Sequence, residues 1–250
     1  MILQIEGLQF EYPARSVLNE ISFTVSKGQV LAILGTNGAG KTTLLKCINR
    51  ILTPTSGSVL IDGKAVENLS RKVLAQKIGY VEQHNNIHHS TVFDAVLLGR
   101  KPYIRWDINH TDMEITSQAL ETLGMSDYAL RYLDELSGGE LQKVVIARAL
   151  AQDPEFLLMD EPTSSLDLKN QLEVLSLIRQ ISNQQGIACI VAMHDLNLAL
   201  RFADRFLLLK DRTIFAAGGQ EVITPENLEN VYAVPVMVAS HNGSRFIIPQ

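Results

Sequence analysis

A chain of 250 residues, 46% hydrophobic and 20% charged, is long enough to bury a full core and has the balance of a globular protein. Its net charge of −5 and isoelectric point near 5.7 provide no basic field, which argues against nucleic acid as a partner. The start, MILQIEGLQFEYP, lacks the basic-then-apolar order of a signal peptide, and the strongest apolar runs, VLAIL and FLLM, are strand-length, well short of the ~20 residues of a membrane helix. Work at a membrane would therefore require docking onto a protein that spans it. Cys47 and Cys189 lie in apolar surroundings and read as core residues in a reducing compartment.

In chain order, residues 2–10 and 17–25 are expected to be strands, the first alternating Ile2, Gln4 and Glu6 against Leu3 and Ile5, with Gly7 as a break. VLAIL (30–34) reads as a fully buried strand running into GTNGAGKT and a helix, TTLLKCINRIL, that Pro54 and Gly57 should end. SVLIDGKAV (58–66) reads as strand, turn, strand, and KIGYVEQ (77–83) as a short strand. Helical periodicity governs 87–151, a block with the character of a helical insert. FLLMDEP (156–162) returns to a buried strand, followed by an amphipathic helix that Gly186 ends. IACIVAMH (187–194) is a strand, DLNLALRFADR a helix, and FLLLKDRTIFAAG (206–218) a hairpin turning near Asp211 to Thr213. Residues 219–250 look less regular apart from a helix, TPENLENVY, capped by Thr224 with Pro225 in its first turn. Strands alternating with helices around a run-on strand predict a parallel α/β core.

The chemistry concentrates at strand ends. GTNGAGKT fits G-x-x-x-x-G-K-[ST] at Gly35, Gly40, Lys41 and Thr42, between a buried strand and a helix. Glycines let the backbone wrap closely around phosphates, and the helix N-terminus adds partial positive charge. Lys41 is expected to reach the β- and γ-phosphates and Thr42 to ligate Mg²⁺. Asp160 and Glu161 end a buried strand, where the first can hold Mg²⁺ through water and the second can polarise an attacking water. His194 also follows a buried strand, and reads either as a γ-phosphate sensor or as a cap of the next helix. Gln83 follows another, with an amide oxygen able to reach the metal. His84, His88 and His89 sit in a polar loop where solvated side chains are expected rather than a metal site. Tyr103 and Trp106 read equally as a partner contact or as packing within the insert. The remaining oddity is LSGGE at 136–140, two glycines at a helix start, where each costs about 1 kcal/mol against alanine.

The ordered set Tyr12, GTNGAGKT, YVEQ, LSGGE, FLLMDEP, SSLD and MHD resembles the ATP-binding cassette (ABC) ATPases over residues 2–238. An ordinary P-loop kinase or GTPase leaves LSGGE and the helical insert unexplained. The resemblance implies a RecA-like P-loop core with a mainly parallel sheet, an antiparallel β subdomain and a helical signature subdomain. It divides the chain into one ATPase domain, 1–238, with a core at 1–86 and 155–222 and a helical part at 87–154, and a C-terminal extension, 223–250. It further implies a head-to-tail homodimer in which Ser137, Gly138, Gly139 and Glu140 of each copy close over ATP held by the other. Tyr12 would then stack on adenine, and Gly35, Thr36, Asn37, Gly38, Ala39, Gly40, Lys41, Thr42 and Thr43 would hold the phosphates. Thr42 and Gln83 would ligate Mg²⁺ directly and Asp160 through water. Glu161 would be the general base, His194 the γ-phosphate switch, and Asp167 of SSLD the link between the two sites. Thr36, Glu82, Met193 and Glu140 depart from the common family pattern without removing a reactive group.

The flanking stretches TVFDAVLLGRKPY, SSLDLKNQLEVLSLIRQ, HDLNLALRFADR and TPENLENVYAVPV look like the ATPases of large importers for iron–siderophore, haem, vitamin B12 or molybdate. The expected setting is peripheral, on the cytoplasmic face of the cell membrane, with integral permease subunits and a substrate-binding protein in the same system. Rival readings are an exporter's ATPase, a soluble ABC protein of DNA repair or translation, and a small-molecule kinase. The soluble ABC proteins usually carry two cassettes or a long coiled coil, and a kinase would not need a dimer.

Overall fold

The structure is a computed structural model, and it describes residues 2–13, 15–83, 89–241 and 243–250. β1 (Ile2–Tyr12) pairs antiparallel with β2 (Arg15–Ser26). Gly7 does not break β1. It sits at φ +54 inside a bulge, where the pairing registers of β1 with both neighbours shift, so the strand bends and continues. Leu3 and Ile5, the apolar half of the alternation, are buried.

β3 (Val30–Leu34) leads into α1 (Lys41–Ile48). That helix ends before Pro54 is reached. Arg50 turns into the left-handed region at φ +54, and the amides of Ile51 and Leu52 both donate to Lys46 O. The Arg50 guanidinium holds this turn by donating to Val66 O and Leu69 O. β4 (Ser56–Ile61) and β5 (Lys64–Ala65) follow, then α2 (Arg71–Lys77), a helix capped by Ser70 that the strand-like reading of 77–83 did not include, and β6 (Ile78–Val81).

The next block is helical: α3 (Val92–Leu97), α4 (His110–Thr122) and α5 (Gly138–Leu150). β7 (Phe156–Asp160), α6 (Leu168–Gln185), β8 (Ala188–Ala192) and α7 (Leu196–Phe202) restore the α/β alternation, and Gly186 at φ +66 caps α6. β9 (Arg205–Lys210) and β10 (Thr213–Gly218) form the expected hairpin, with Asp211 and Arg212 both at positive φ as its two-residue turn. The region from 219 is more regular than its sequence suggests. It holds α8 (Pro225–Tyr232) and a hairpin of β11 (Val236–His241) and β12 (Ser244–Pro249).

β3, β6, β7, β8 and β9 are parallel neighbours in a six-stranded sheet ordered β10-β9-β3-β8-β7-β6, with β10 antiparallel at its edge. A four-stranded antiparallel sheet, β2-β1-β4-β5, lies over one face. Continuous burial of β3, β7 and β8 has a period-two logic. Val30, Ala32, Leu34, Leu157, Met159, Cys189 and Val191 face a core shared with α3 to α8. Leu31, Ile33, Phe156, Leu158, Ile190 and Ala192 face a second core with α1 and the antiparallel sheet. The expected parallel α/β core, antiparallel β layer and helical block are all present. Among the described residues no helix is long and apolar enough to cross a membrane.

Candidate nucleotide-binding and hydrolysis site

Four candidate groups leave the central sheet at the same edge. Gly35 follows β3, Gln83 follows β6 by two residues, Asp160 ends β7, and His194 follows β8 by two. Open α/β sheets bind ligands beyond the carboxyl ends of their strands, and β3 lies between β8 and β9, where strand order reverses.

The loop from Gly35 to Gly40 is shaped by close approach. A Cβ on Gly35 would lie 2.6 Å from Leu209 O, and one on Gly40, at φ +103, would lie 2.9 Å from Leu18 Cδ2. Gly40 caps α1 with no side chain, leaving the first amides of the helix unscreened. Lys41 is buried, and its Nζ donates to Gly35 O at 2.9 Å and Thr36 O at 3.3 Å. Burial lowers its pKa, while Glu161 and Asp160 oppose that shift. The cation is thus stored across the mouth of its own loop. A cleft beside it is lined by Tyr12, Arg15, Val17, Asn37, Gly38, Lys41, Thr42, Thr43 and Glu161. Tyr12 stands edge-on to Phe10, ring centres 4.9 Å apart, and is 45% exposed at the mouth.

Glu161 occupies a backbone position that few non-glycine residues adopt, φ +50, fixed by its amide donating to Ala192 O at 3.1 Å. Its Oε2 accepts from Gln83 Nε2 at 2.7 Å, and its Oε1 pairs with His194 Nε2. The carboxylate is therefore held between the two groups from neighbouring strand ends. The cap of α7 is Asp195, which accepts from the amides of Asn197 and Leu198, so His194 is not the cap.

Asp160 is 2% exposed, and its Oδ1 is buried with no hydrogen-bond partner. Burial raises its pKa, with the Thr42 hydrogen bond acting against that shift. An orphaned buried carboxylate oxygen beside the Thr42 hydroxyl, with the Gln83 amide a strand-end away, is a donor set of hard oxygens that suits Mg²⁺. Among the described residues no group of three or more His, Cys, Asp or Glu forms a metal cluster. His84 and His88 lie outside the described residues. His89 stacks on Tyr132 at 4.3 Å and faces Asp134 at 3.5 Å.

Ser137 caps α5 through a capping box with Glu140. The two glycines differ. A Cβ on Gly139 would lie 2.5 Å from Asn170 Oδ1, so at Gly139 a side chain would have to displace Asn170 where α5 meets α6. A Cβ on Gly138 would meet only Leu166 Cδ2, at 3.9 Å. None of residues 137–140 lines the cleft at the phosphate loop. Asp167 caps α6, accepting from the Asn170 amide at 2.8 Å, so the SSLD turn and the LSGGE turn meet through Asn170.

Tyr103 packs inside the insert, its hydroxyl donating to Gln152 O and its ring under the Arg100 guanidinium, whereas Trp106 is 99% exposed. Arg15 is a cleft residue that the sequence reading passed over. Its signal is a cation directly opposite Tyr12 in the β1–β2 register, with Nη2 3.8 Å from a Cβ built on Gly38.

A phosphate-shaped loop, a strand-end carboxylate pair and a capped glycine turn on a parallel α/β sheet define a nucleotide-hydrolysing protein of the P-loop kind. The chain belongs to the ABC transporter family, whose profile it matches over residues 18–164. It is 56% identical to an uncharacterised ABC transporter ATP-binding protein of Methanocaldococcus jannaschii, covering 100% of this chain and 98% of that one. It is 37% identical to the iron(3+)-hydroxamate import ATP-binding protein of Bacillus subtilis, over 95% of this chain and 90% of the relative. Its fold superposes on a metal-chelate type ABC transporter solved in an inward-facing conformation, with TM-score 0.86, 32% identity and coverage of 99% and 97%. A second solved relative is an ATP-binding cassette dimer in a post-hydrolysis state with ADP and Pi, with TM-score 0.76, 28% identity and coverage of 87% and 98%. The chain is thus an ATP-binding, ATP-hydrolysing subunit of the importer-like ABC systems.

Proposed function

We propose that two copies of this chain bind two ATP molecules between them, and that closure and hydrolysis drive a membrane permease importing an iron chelate or cobalamin. The observation that carries the dimer is Gly138. Nothing in its own subunit needs a glycine there, and the turn lies outside its own phosphate cleft. A surface glycine at a helix N-terminus suits the close approach of a phosphate from outside, and a dimeric relative holds ADP and Pi. The cargo reading is supported by the hydroxamate-import relative and the metal-chelate type neighbour. A substrate-binding protein is expected in the same system, and the subunit is placed at the cytoplasmic face of the membrane through its permease. The helical block carrying α3, α4 and α5 acts as a unit that moves on the nucleotide core.

In this reading Tyr12 stacks on adenine, Arg15 and Lys41 neutralise phosphate charge, and the amides from Gly35 to Thr43 hold the phosphates. Thr42, Gln83 and Asp160 would hold Mg²⁺, which supplies charge neutralisation of the phosphates when bound. Water attacks the γ-phosphorus as the P–O bond to ADP breaks, and Glu161 accepts the proton that water loses. Gln83 and His194 orient that carboxylate beforehand, and His194 then faces the γ-phosphate. Ser137 and the Gly138 and Gly139 amides of the second copy close over the same phosphate, and Asp167 ties the two sites together.

The test is Glu161→Gln with ATP. It is expected to bind ATP, sediment as a dimer and hydrolyse at least a hundredfold more slowly, within the usual range for a lost general base. Hydrolysis near the normal rate would remove Glu161 from the base role. A strictly monomeric Glu161→Gln protein at saturating ATP would remove the sandwich.

A further inference from the structure

The serine that opens α5 has only one hydroxyl hydrogen, and a carboxylate already takes it. Ser137 Oγ donates to Glu140 Oε2 at 2.7 Å, and the Ser137 amide donates to the same oxygen at 2.8 Å. The return bond, from the Glu140 amide to Ser137 Oγ, is long at 3.4 Å. The Tyr128 hydroxyl nearby also favours the charged form of this carboxyl, and Arg131 sits 4.4 Å over the Tyr128 ring. The Ser137 hydroxyl bond is the main cause holding the Glu140 carboxyl below its ordinary range, so the group stays charged.

A glutamine at this position would keep the capping box, since Glu and Gln serve it alike. It would not keep the strength. Hydrogen bonds to an ionised acceptor are roughly twice as strong as neutral ones, and an amide carries no net charge. Closure over a phosphate held by a second copy, as proposed above, then meets two costs at Glu140. The Ser137 hydrogen must leave a charged acceptor to face the phosphate, and a negative carboxylate must sit at the lip of a negatively charged ligand.

We infer that Glu140 is a positioning residue that acts through Ser137 to weaken the ATP-bound dimer, making this chain a motor whose two halves part readily. The inference rests on the ATP-sandwich reading. The two are separated by working in the Glu161→Gln background, where the nucleotide persists.

The experiment is sedimentation equilibrium with ATP and Mg²⁺. Adding Glu140→Gln is expected to lower the dimer dissociation constant about tenfold and to flatten its dependence on ionic strength, because each dimer loses two repulsive contacts. With Ser137→Ala also present, the gain should shrink, leaving only the charge contribution. In the protein with Glu161 intact, Glu140→Gln should make hydrolysis half-maximal at a lower protein concentration. An unchanged or weaker dimer with Glu140→Gln, in a protein melting at the normal temperature, overturns this inference alone. Failure of Glu161→Gln itself to dimerise overturns the sandwich and this inference with it.

Discussion

Gly138 and Gly139 are neighbours with opposite duties, and a methyl group on each separates them. Gly139→Ala drives a Cβ to 2.5 Å from Asn170 Oδ1, displaces that side chain and should cost about 1 kcal/mol, lowering the melting temperature by a few degrees. Gly138→Ala makes only an ordinary contact with Leu166 in a helix and should melt at the same temperature or slightly higher. It should nevertheless weaken ATP-dependent dimerisation in the Glu161→Gln background, read by sedimentation. If the Gly138 variant dimerised as well as its parent, the turn would have no external phosphate to meet. Arg15 tests the near side of the cleft. Arg15→Ala is expected to raise the Kd for both ATP and ADP about tenfold, the worth of one exposed charge-assisted phosphate contact, while adenosine binding barely shifts. Equal losses for adenosine and ATP would show that Arg15 supports the hairpin, not the phosphates.

Among elements, α6 offers a comparable separation of structure from coupling. Asp167→Ala removes the cap that the Asn170 amide uses and should cost about 1 kcal/mol in urea unfolding. Asp167→Asn keeps a capping oxygen, so a loss of ATPase activity there without loss of stability would assign the charge to the second subunit's site. The elements that carry the site were readable because their signals are local. A buried apolar run ending in a glycine loop, or in Asp-Glu or Met-His, marks a strand end whatever surrounds it. What stayed hidden depends on distant partners. α1 stops at Ile48 because Arg50 reaches the carbonyls of Val66 and Leu69, residues far along the chain. α2 escaped notice because RKVLAQK buries only Leu74 and has little periodic contrast. β11 and β12 alternate weakly: among their described residues Val236 and Ile247 are buried and Val238 is partly buried against the same core. Arg15 carried no pattern of its own, and only the pairing with Tyr12 brings it to the cleft.

At the scale of the whole molecule, the C-terminal hairpin is part of the core. Asn197 bonds Ile247 in both directions, at 3.1 and 2.7 Å, and Arg245 donates to Gln220 O and Ile223 O. Deleting residues 234–250 exposes the sites of Val236 and Ile247 and should cost about 3–5 kcal/mol, seen as a lower urea midpoint. An unchanged midpoint would make the hairpin an appendage. The central sheet also separates the two thiols. Cys47 lies in the core beneath the antiparallel layer, and Cys189 in the core under the helices. Burial pushes both up to about 12, so neither forms appreciable thiolate while the protein stays shut. Alkylation of each sulfur, followed by mass spectrometry, therefore becomes a clock for the breathing of its own half. Nucleotide that quietens the Cys47 clock before the Cys189 clock would reveal which side of the sheet stiffens first.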